Sequence, residues 1–502
     1  MTTHNEFKKS LSTLDLVALA FGAMIGWGWV VLAGGWVAGA GVLGAVLAFL
    51  IGGVAILLIG LAYSELAACM PITGGEHTYT HRAFGVHMSF ICSWSILFGY
   101  LSVVAFEAVA LPTVVEYLIP NYNQGYMYTI AGWDVYATWV AVGMIGSLIV
   151  TYLNVRGMQV AAWFQKLAVF GILITGIMLF IGALLFNPNA TLGNLAVPNF
   201  VGGMAGVMTV IIMVPFMFVG FDVIPQAAEE IDLSRPRIGM FLVVSLVMAI
   251  LWYMGIAWSV GHTLSTEQAA NSSLATADAM SNAWNGKWAG MLLVLGGVLG
   301  ILSSWNAFLI GGSRLMYAMA KAHMLPNTLA KLHPKYGTPF MAIILIGGLA
   351  TFAPLFGRKA LVWIVDAGGV GIVVAYTCVA AAFLYLRFKE PDMVRPFRVP
   401  CGKAVGVVTV LVSLGMLYLY LPGSPAALTP VEWLIFGIWS VLGVVLYAYS
   451  TLKNPNKSKD FMDAEIRAIK EANQVWLREN GMPSLAIDRQ ASKLSSKLNK
   501  DR

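Results

Sequence analysis

The chain has 502 residues, of which 59% are apolar and 11% charged, and its mean hydropathy is +0.77. Soluble domains carry about 25% charged residues, so this composition excludes a soluble globular protein and points to a polytopic membrane protein. The net charge of +6 reflects where lysine and arginine sit relative to the bilayer rather than a nucleic-acid partner.

Apolar windows of about 20 residues, the length that crosses a ~30 Å hydrocarbon core, recur along the chain. Twelve are expected, at 14–38, 41–69, 88–119, 134–154, 158–186, 203–231, 237–261, 287–320, 339–356, 361–388, 403–421 and 431–451. With the N-terminus inside, all but Lys287, Arg358 and Lys359 of the 30 lysines and arginines lie on the inner side. The positive-inside rule then predicts cytoplasmic N- and C-termini in an inner or plasma membrane. The first segment is too long for a removable signal peptide and lacks a small-residue cleavage site. None of the four cysteines sits where an extracellular disulfide would form, so no disulfide-linked partner chain is expected.

The polar residues 1–12 form a cytoplasmic N-terminus, with Thr13 and Asp15 as caps for the first helix. That helix is interrupted at Phe21-Gly22-Ala23-Met24-Ile25-Gly26-Trp27-Gly28-Trp29. Unpaired backbone groups in hydrocarbon cost several kcal/mol each, so such a break is tolerated only where it is buried in protein or lines a cavity. The turn Gly39-x-Gly41-x-x-Gly44 matches a dinucleotide fingerprint but joins two membrane helices, without the strand the fingerprint requires. No cofactor is implied. His77 and His81 stand four apart without a third metal ligand, which makes them part of a solvated or interfacial loop and leaves no metal site.

Glu107 lies near the middle of the third segment, where a carboxylate costs about 2.5–3.5 kcal/mol on insertion scales and is by default functional. The competing reading is a neutral, hydrogen-bonded side chain that ties helices together. Lys166, in the fifth segment, has a stem long enough to snorkel to the headgroups. The sixth segment is broken by Pro215, Gly220 and Asp222 at mid-membrane. Two broken segments an odd number of spans apart run in opposite directions, so the chain divides into a first five-helix repeat (13–186), a second inverted repeat (203–388) and two further helices (403–451). Interrupted segments at corresponding positions of two halves are the best sequence pointer to a transporter's binding site. Asp366 opens the tenth segment beside a glycine cluster, where it either lines the pathway or caps a kink. In the cytoplasmic tail, 452–502, Met462, Ile466, Ile469 and Trp476 mark one face of a surface helix.

These residues resemble the amino acid, polyamine and organocation (APC) superfamily of secondary transporters over about residues 12 to 450. The likeness is carried by Gly22-x-x-Ile25-Gly26-x-Gly28; by Pro71-x-x-Gly74-Gly75 with Tyr79, Arg82 and Phe84-Gly85; by Phe218-x-Gly220-Phe221-Asp222 with Glu229-Glu230 and Pro236-Arg237; and by Ser313-Arg314-Leu315-x-Tyr317-Ala318 with His333-Pro334-x-Tyr336-Gly337-Thr338-Pro339.

The resemblance implies an all-α membrane protein of the leucine-transporter class, with a 5+5 inverted repeat plus two helices and alternating access. It places a substrate carboxylate at the free N–H groups of Ile25, Gly26, Trp27 and Gly28, and a substrate amine at the carbonyls of Phe216 to Val219, close to Gly220. Phe216 falls at a lid position, and Tyr100 and Phe308 face the site. Trp27 departs from the small residue usual in the family, and its indole is expected to limit pocket volume. The lysine that proton-coupled relatives carry on helix five is replaced here by Ile172. Glu107, Asp222 and Asp366 are candidates for coupling or counter-charge, with the coupling ion left open between a proton and sodium.

The expected substrate is an amino acid or related small amine-bearing solute. The alternatives are a polyamine or organic-cation carrier that uses Glu107 and Asp366 as counter-charges, or a transport-dead sensor. The sequence shows neither a zinc-protease motif nor a nucleophile elbow, so no enzyme is expected. The other partners are the lipid bilayer and, at most, further copies of the chain, as a monomer or homo-oligomer.

Overall fold

The computed structural model describes residues 7, 9–119, 121–424, 427–453 and 456–480. Most of the polar N-terminus and the tail beyond Asn480 lie outside the described residues.

The first expected segment is three helices, α1 (Thr13–Met24), α2 (Gly28–Val31) and α3 (Ala33–Ala40). There follow α4 (Val42–Cys69), the short α5 (Glu76–Phe84) and α6 (Val86–Leu118). A hairpin of β1 (Tyr126–Ile130) and β2 (Trp133–Tyr136) leads into α7 (Ala137–Val155), α8 (Met158–Leu185) and α9 (Pro188–Thr191). The second broken segment comprises α10 (Gly203–Ile211), α11 (Val214–Met217) and α12 (Val223–Gln226). Then come α13 (Arg235–Thr263), α14 (Thr266–Asn271), α15 (Ala275–Ala283), α16 (Lys287–Lys321), α17 (Phe340–Phe352), α18 (Gly357–Lys389), α19 (Gly402–Tyr418), α20 (Pro430–Lys453) and α21 (Lys457–Glu479).

Among the described residues eight helices are long and apolar enough to cross a membrane: α4, α6, α7, α8, α13, α16, α18 and α20. The remaining expected segments hold shorter apolar helices, those of the two broken segments, α17 and α19. Residues 134–136, placed at the start of a span by hydropathy, are instead strand β2, paired antiparallel with β1 across a tight turn at Ala131-Gly132. Large side chains such as Phe170, Leu184, Leu251, Leu434 and Val441 are exposed, as an apolar solvent allows.

Helix α4 packs on α13, α7 on α17, α6 on α18 and α8 on α16. Small residues permit close approach where no hydrophobic effect operates between helices: Gly53 and Gly60 of α4 lie beneath Ile250 and Leu246 of α13. Two of the glycines after Asp366 have the same use, and the helix runs through them without a break. Gly368 and Gly371 seat α18 on Ser102 and Ser95 of α6 within one uninterrupted helix.

The face that carries both termini is held by charge. Helix α1 is capped by Ser12, one residue before the expected Thr13, and Asp15 closes a capping box from the third position. Asp15 also binds Lys166 at 2.8 Å, so the lysine that hydropathy assigned to the headgroups is held by an ion pair. Arg314 meets Glu230 at 2.8 Å with both side chains buried. Glu65 accepts from Arg387, from Arg395 at 2.9 Å and from the Val399 N–H at 2.8 Å. Arg82 binds Glu390 at 2.6 Å.

Residues 76–84, expected as a solvated loop, form α5 and are buried from Glu76 to His81. His77 is bound by Ser89 of α6 at 2.9 Å, and His81 meets Asp463 of α21 at 3.2 Å. Helix α21 lies against this face with Met462, Ile469 and Leu477 buried, and Asn473 donates to the Cys69 carbonyl at 3.1 Å. The docked helix encloses Glu465. Burial, with the Glu229 carboxylate nearby, pushes its carboxyl up to about 7 against the pull of Lys321 and the nearby Thr78 hydroxyl.

A docked acid that holds its proton to about 7, while a free one releases it near 4.5, favours docking at low pH and loses that contribution as pH rises through this window. The spin-label mobility of α21, read from Ala464→Cys in a Cys401→Ser background, is expected to increase over that window. Glu465→Gln is expected to abolish the increase.

Candidate functional site

The two broken segments meet in the middle of the helix bundle. Helix α1 ends when the Ile25 N–H bonds the Phe21 carbonyl at 3.0 Å. Ile25's N–H is thus spent on the helix end, although the sequence grouped it with the free donors, and the chain leaves helical geometry from Ile25 to Trp27 before α2 begins. In the second segment the interruption covers 212–213 and 218–222, wider than the single break expected around Phe216 to Val219. Val219 reaches back to the Phe216 carbonyl at a long 3.4 Å.

Gly220 sits at the crossing with φ +127°, a conformation open chiefly to glycine. A β-carbon there would lie 2.6 Å from Cβ and 2.9 Å from the carbonyl carbon of Ala23, and 3.0 Å from the Met24 nitrogen. The backbones of the two breaks are therefore in direct contact. The Tyr253 hydroxyl of α13 lies 2.7 Å from the Met24 carbonyl and 3.0 Å from the Met217 carbonyl. One buried phenol thus serves the last carbonyl of each half-helix.

Glu107 joins this place from α6 and is only 2% exposed. Its Oε1 lies 2.7 Å, and the Ser304 Oγ of α16 lies 3.1 Å, from where a β-carbon on Gly26 would stand. Its Oε2 is buried without a hydrogen-bond partner among the described residues. Met217 covers Gly28, and Gly300 of α16 approaches the Gly26 carbonyl. Trp27 is buried with its ring on Gly297 of α16, whereas Trp29 packs edge-on against Trp252 at 5.4 Å. Phe216, partly exposed, meets the edge of Phe106 at 6.5 Å.

Asp222 forms a second node. It is fully buried and accepts the Gly220 N–H at 2.8 Å, the Tyr100 hydroxyl at 2.5 Å and the Tyr376 hydroxyl at 3.3 Å. Tyr100 in turn lies 5.5 Å from Phe308. The fold thus gathers Ile25, Gly26, Trp27, Gly28, Glu107, Phe216, Val219 and Gly220 at the crossing, with Tyr100, Phe308 and Asp222 adjoining. It does not bring Asp366 there. That side chain is exposed on α18, and its acidic neighbour is Glu432 of α20.

Sequence reasoning missed Tyr253, Ser304 and Tyr376. It also missed a polar chain in which Gln165 donates to the Ala18 carbonyl at 3.2 Å and to Ser303 at 2.8 Å, while Asn306 bonds Gln165 and Asn154 at 2.8 Å each. A lone hydroxyl or amide in an apolar helix carries little signal; Asn306 within Ser303-Ser304-Trp305-Asn306 was the most visible.

A family described as Amino acid permease matches residues 11–447. The chain is 27% identical over 450 residues to the branched-chain amino acid permease BcaP of Bacillus subtilis, covering 88% of this chain and 92% of that protein. It is 24% identical over 534 residues to the aspartate-proton symporter of the same organism, covering 97% and 99%. With the cationic amino acid transporter 4 of Mus musculus it shares 30% identity over 419 residues, covering 80% of this chain and 62% of that protein.

The crossing demands an absent side chain at Gly26. Gly26→Val places a branched side chain against Glu107 and Ser304, and is expected to leave membrane insertion intact while abolishing ligand-dependent thermal stabilisation. Ligand-dependent stabilisation equal to that of the unaltered protein would contradict the assignment of Gly26 to the site.

Proposed function

The chain belongs to the amino acid permease family of the APC superfamily, and from that premise we propose a secondary active transporter of an amino acid or a related small amine-bearing solute, working by alternating access. Members of this family are multi-pass membrane transporters, not enzymes. The observation that carries the proposal is the contact between two interrupted helices with Glu107 pressed on one of them. Backbone N–H and C=O groups freed at mid-membrane are costly unless a ligand or protein group meets them.

The three relatives are named for branched-chain, cationic and acidic substrates. Their common chemistry is the α-amino and α-carboxylate groups. Exposed helix ends suit both: free N–H groups favour the anion and free carbonyls the ammonium. In this reading the Gly26–Gly28 backbone takes the carboxylate and the stretch Phe216 to Val219 takes the amine through carbonyls other than those of Phe216 and Met217, which already accept from Val219 and Tyr253, with Trp27, Tyr100, Phe216 and Phe308 around the side chain.

Twelve spans in two inverted five-helix halves, 13–186 and 203–388, followed by helices at 403–451, are supported by the pairing of helices. Taking α1–α3 as the counterpart of α10–α12, helix α4 packs on its own counterpart α13, and α7 on α17. Helices α6 with α18 and α8 with α16 pair crosswise, as a two-fold in the membrane plane requires. The lysine and arginine bias supports cytoplasmic termini in an inner or plasma membrane.

Glu107 adjoins the backbone assigned to the substrate carboxylate, and an ionised Glu107 there would repel it. This favours a neutral acid that donates a hydrogen bond, and hence a proton carrier over a counter-ion for the amine. The polyamine reading loses one of its two counter-charges, because Asp366 faces away from the site.

Glu107→Gln keeps the shape and removes the proton. In proteoliposomes the variant is expected to retain amino acid binding but to lose accumulation against a gradient together with its pH dependence. Binding weakened by about 1–3 kcal/mol, the worth of a charged hydrogen bond, would instead mark Glu107 as the amine's counter-ion. Unchanged binding and accumulation would retire both roles.

A further inference from the structure

A second buried acid lies next to Asp222, on the side of the crossing that faces the termini. In the turn Gly74-Gly75, Gly74 packs on Ala318 of α16 and Gly75 on Pro225 of α12, which delivers Glu76, the first residue of α5, beneath α12. Glu76, Asp222, Gln226 and Tyr63 are all fully buried. Gln226 donates its amide to Glu76 Oε2, and Tyr63 of α4 lies near this carboxyl. Glu76 Oε1, Gln226 Oε1 and the Tyr63 hydroxyl otherwise have no geometric partner among the described residues.

The titratable groups that act on Glu76 or feel its charge come from five elements: Tyr63 of α4, Tyr79 of α5, Cys92 and Tyr100 of α6, Asp222 beside α12, and Tyr376 of α18. None of these is a cation. Two adjacent carboxylates in such surroundings cannot both ionise, because like charges at low dielectric push one acid into its neutral form. Counting donors assigns the charge. Asp222 receives three donors and is the anion, whereas Glu76 receives an amide donor and keeps an oxygen without a partner. A proton on Glu76 turns one of several donor-less oxygens into a donor. Burial and the Asp222 carboxylate accordingly hold the Glu76 carboxyl well above the usual carboxylate range.

We propose that Glu76 is a second proton-binding site of this transporter, distinct from Glu107. It exchanges its proton with the solution on the terminal face, and Asp222 is the fixed negative charge that retains it. The step is simple dissociation: the Glu76 O–H breaks, the electron pair stays on the carboxylate and the proton passes to water. A transport role for the site rests on the proposed function above; proton binding itself does not.

The test is a pH-difference infrared titration of the purified full chain, read at the carboxylic C=O stretch in the unaltered protein, Glu76→Gln, Glu76→Asp and Glu107→Gln. A protonated-acid band at neutral pH is expected in the unaltered protein. One component of it is expected to be lost in Glu76→Gln, shifted in Glu76→Asp and retained in Glu107→Gln, which removes only the component of the other neutral acid. Should Glu76→Gln fail to fold, the shift in Glu76→Asp reads the same group. A band absent from the unaltered protein, or unmoved by both Glu76 substitutions, overturns the proposal. In proteoliposomes, the dependence of amino acid uptake on the pH of the terminal-face solution is expected to shift in Glu76→Gln, Glu107 being intact, and a dependence identical to that of the unaltered protein overturns the transport role. Absence of amino acid uptake by the unaltered protein would instead count against the proposed function and leave the infrared result to judge the site.

Discussion

Two helices cannot stop inside an apolar bundle unless each finds partners for the backbone groups it releases. Here they use each other. Gly220 lies against Ala23 and Met24, and Tyr253 places one hydroxyl between the Met24 and Met217 carbonyls. The neighbouring helices serve this contact. Gly297 and Gly300 allow α16 to close on Trp27 and Gly26, and α6 brings Glu107 to the same backbone. Charge, aromatic surface and unpaired backbone thus converge at one place.

The ion pairs lie elsewhere, on the terminal face, and their partners come from distant parts of the chain. Glu65 gathers Arg387 and Arg395, Glu230 holds Arg314, and Arg82 reaches Glu390. A buried pair is costly to break, about 3–5 kcal/mol when one partner is removed. The N-terminal strand-like segment adds to it: Ser10 and Leu11 donate to the Glu230 carbonyl at 2.9 Å, so the loop after the second break is tied to the start of the first.

Much of this was legible in the residues. Hydropathy is a local property, so the eight long apolar helices could be read directly, and glycines in the run from Gly22 to Gly28 revealed the first break because they are expensive in a membrane helix. Glu107 was legible as an unsupported charge. Depth along a helix does not tell which way a side chain faces, however, and so Asp366 stood open between the pathway and a kink, while the fold leaves it exposed on α18. The run from Glu76 to His81 is polar enough to suggest solvent, yet α6 and α21 bury it; nothing within the run announces partners such as Ser89 or Asp463. Tyr253, Tyr376 and Ser304 sit in ordinary apolar helices and acquire meaning only once the breaks are in contact.

The central claim is that the crossing reads the backbone of an amino acid, with its amine and carboxylate held by the ends of two half-helices. Thermal stabilisation of the purified protein by a panel of amino acids, each paired with the amine left after loss of its carboxylate, tests this most directly, because a ligand that binds only the folded state raises its stability by mass action. The account predicts that at least one amino acid stabilises the protein and that its decarboxylated partner does not. Equal stabilisation by both members of the pair would contradict it.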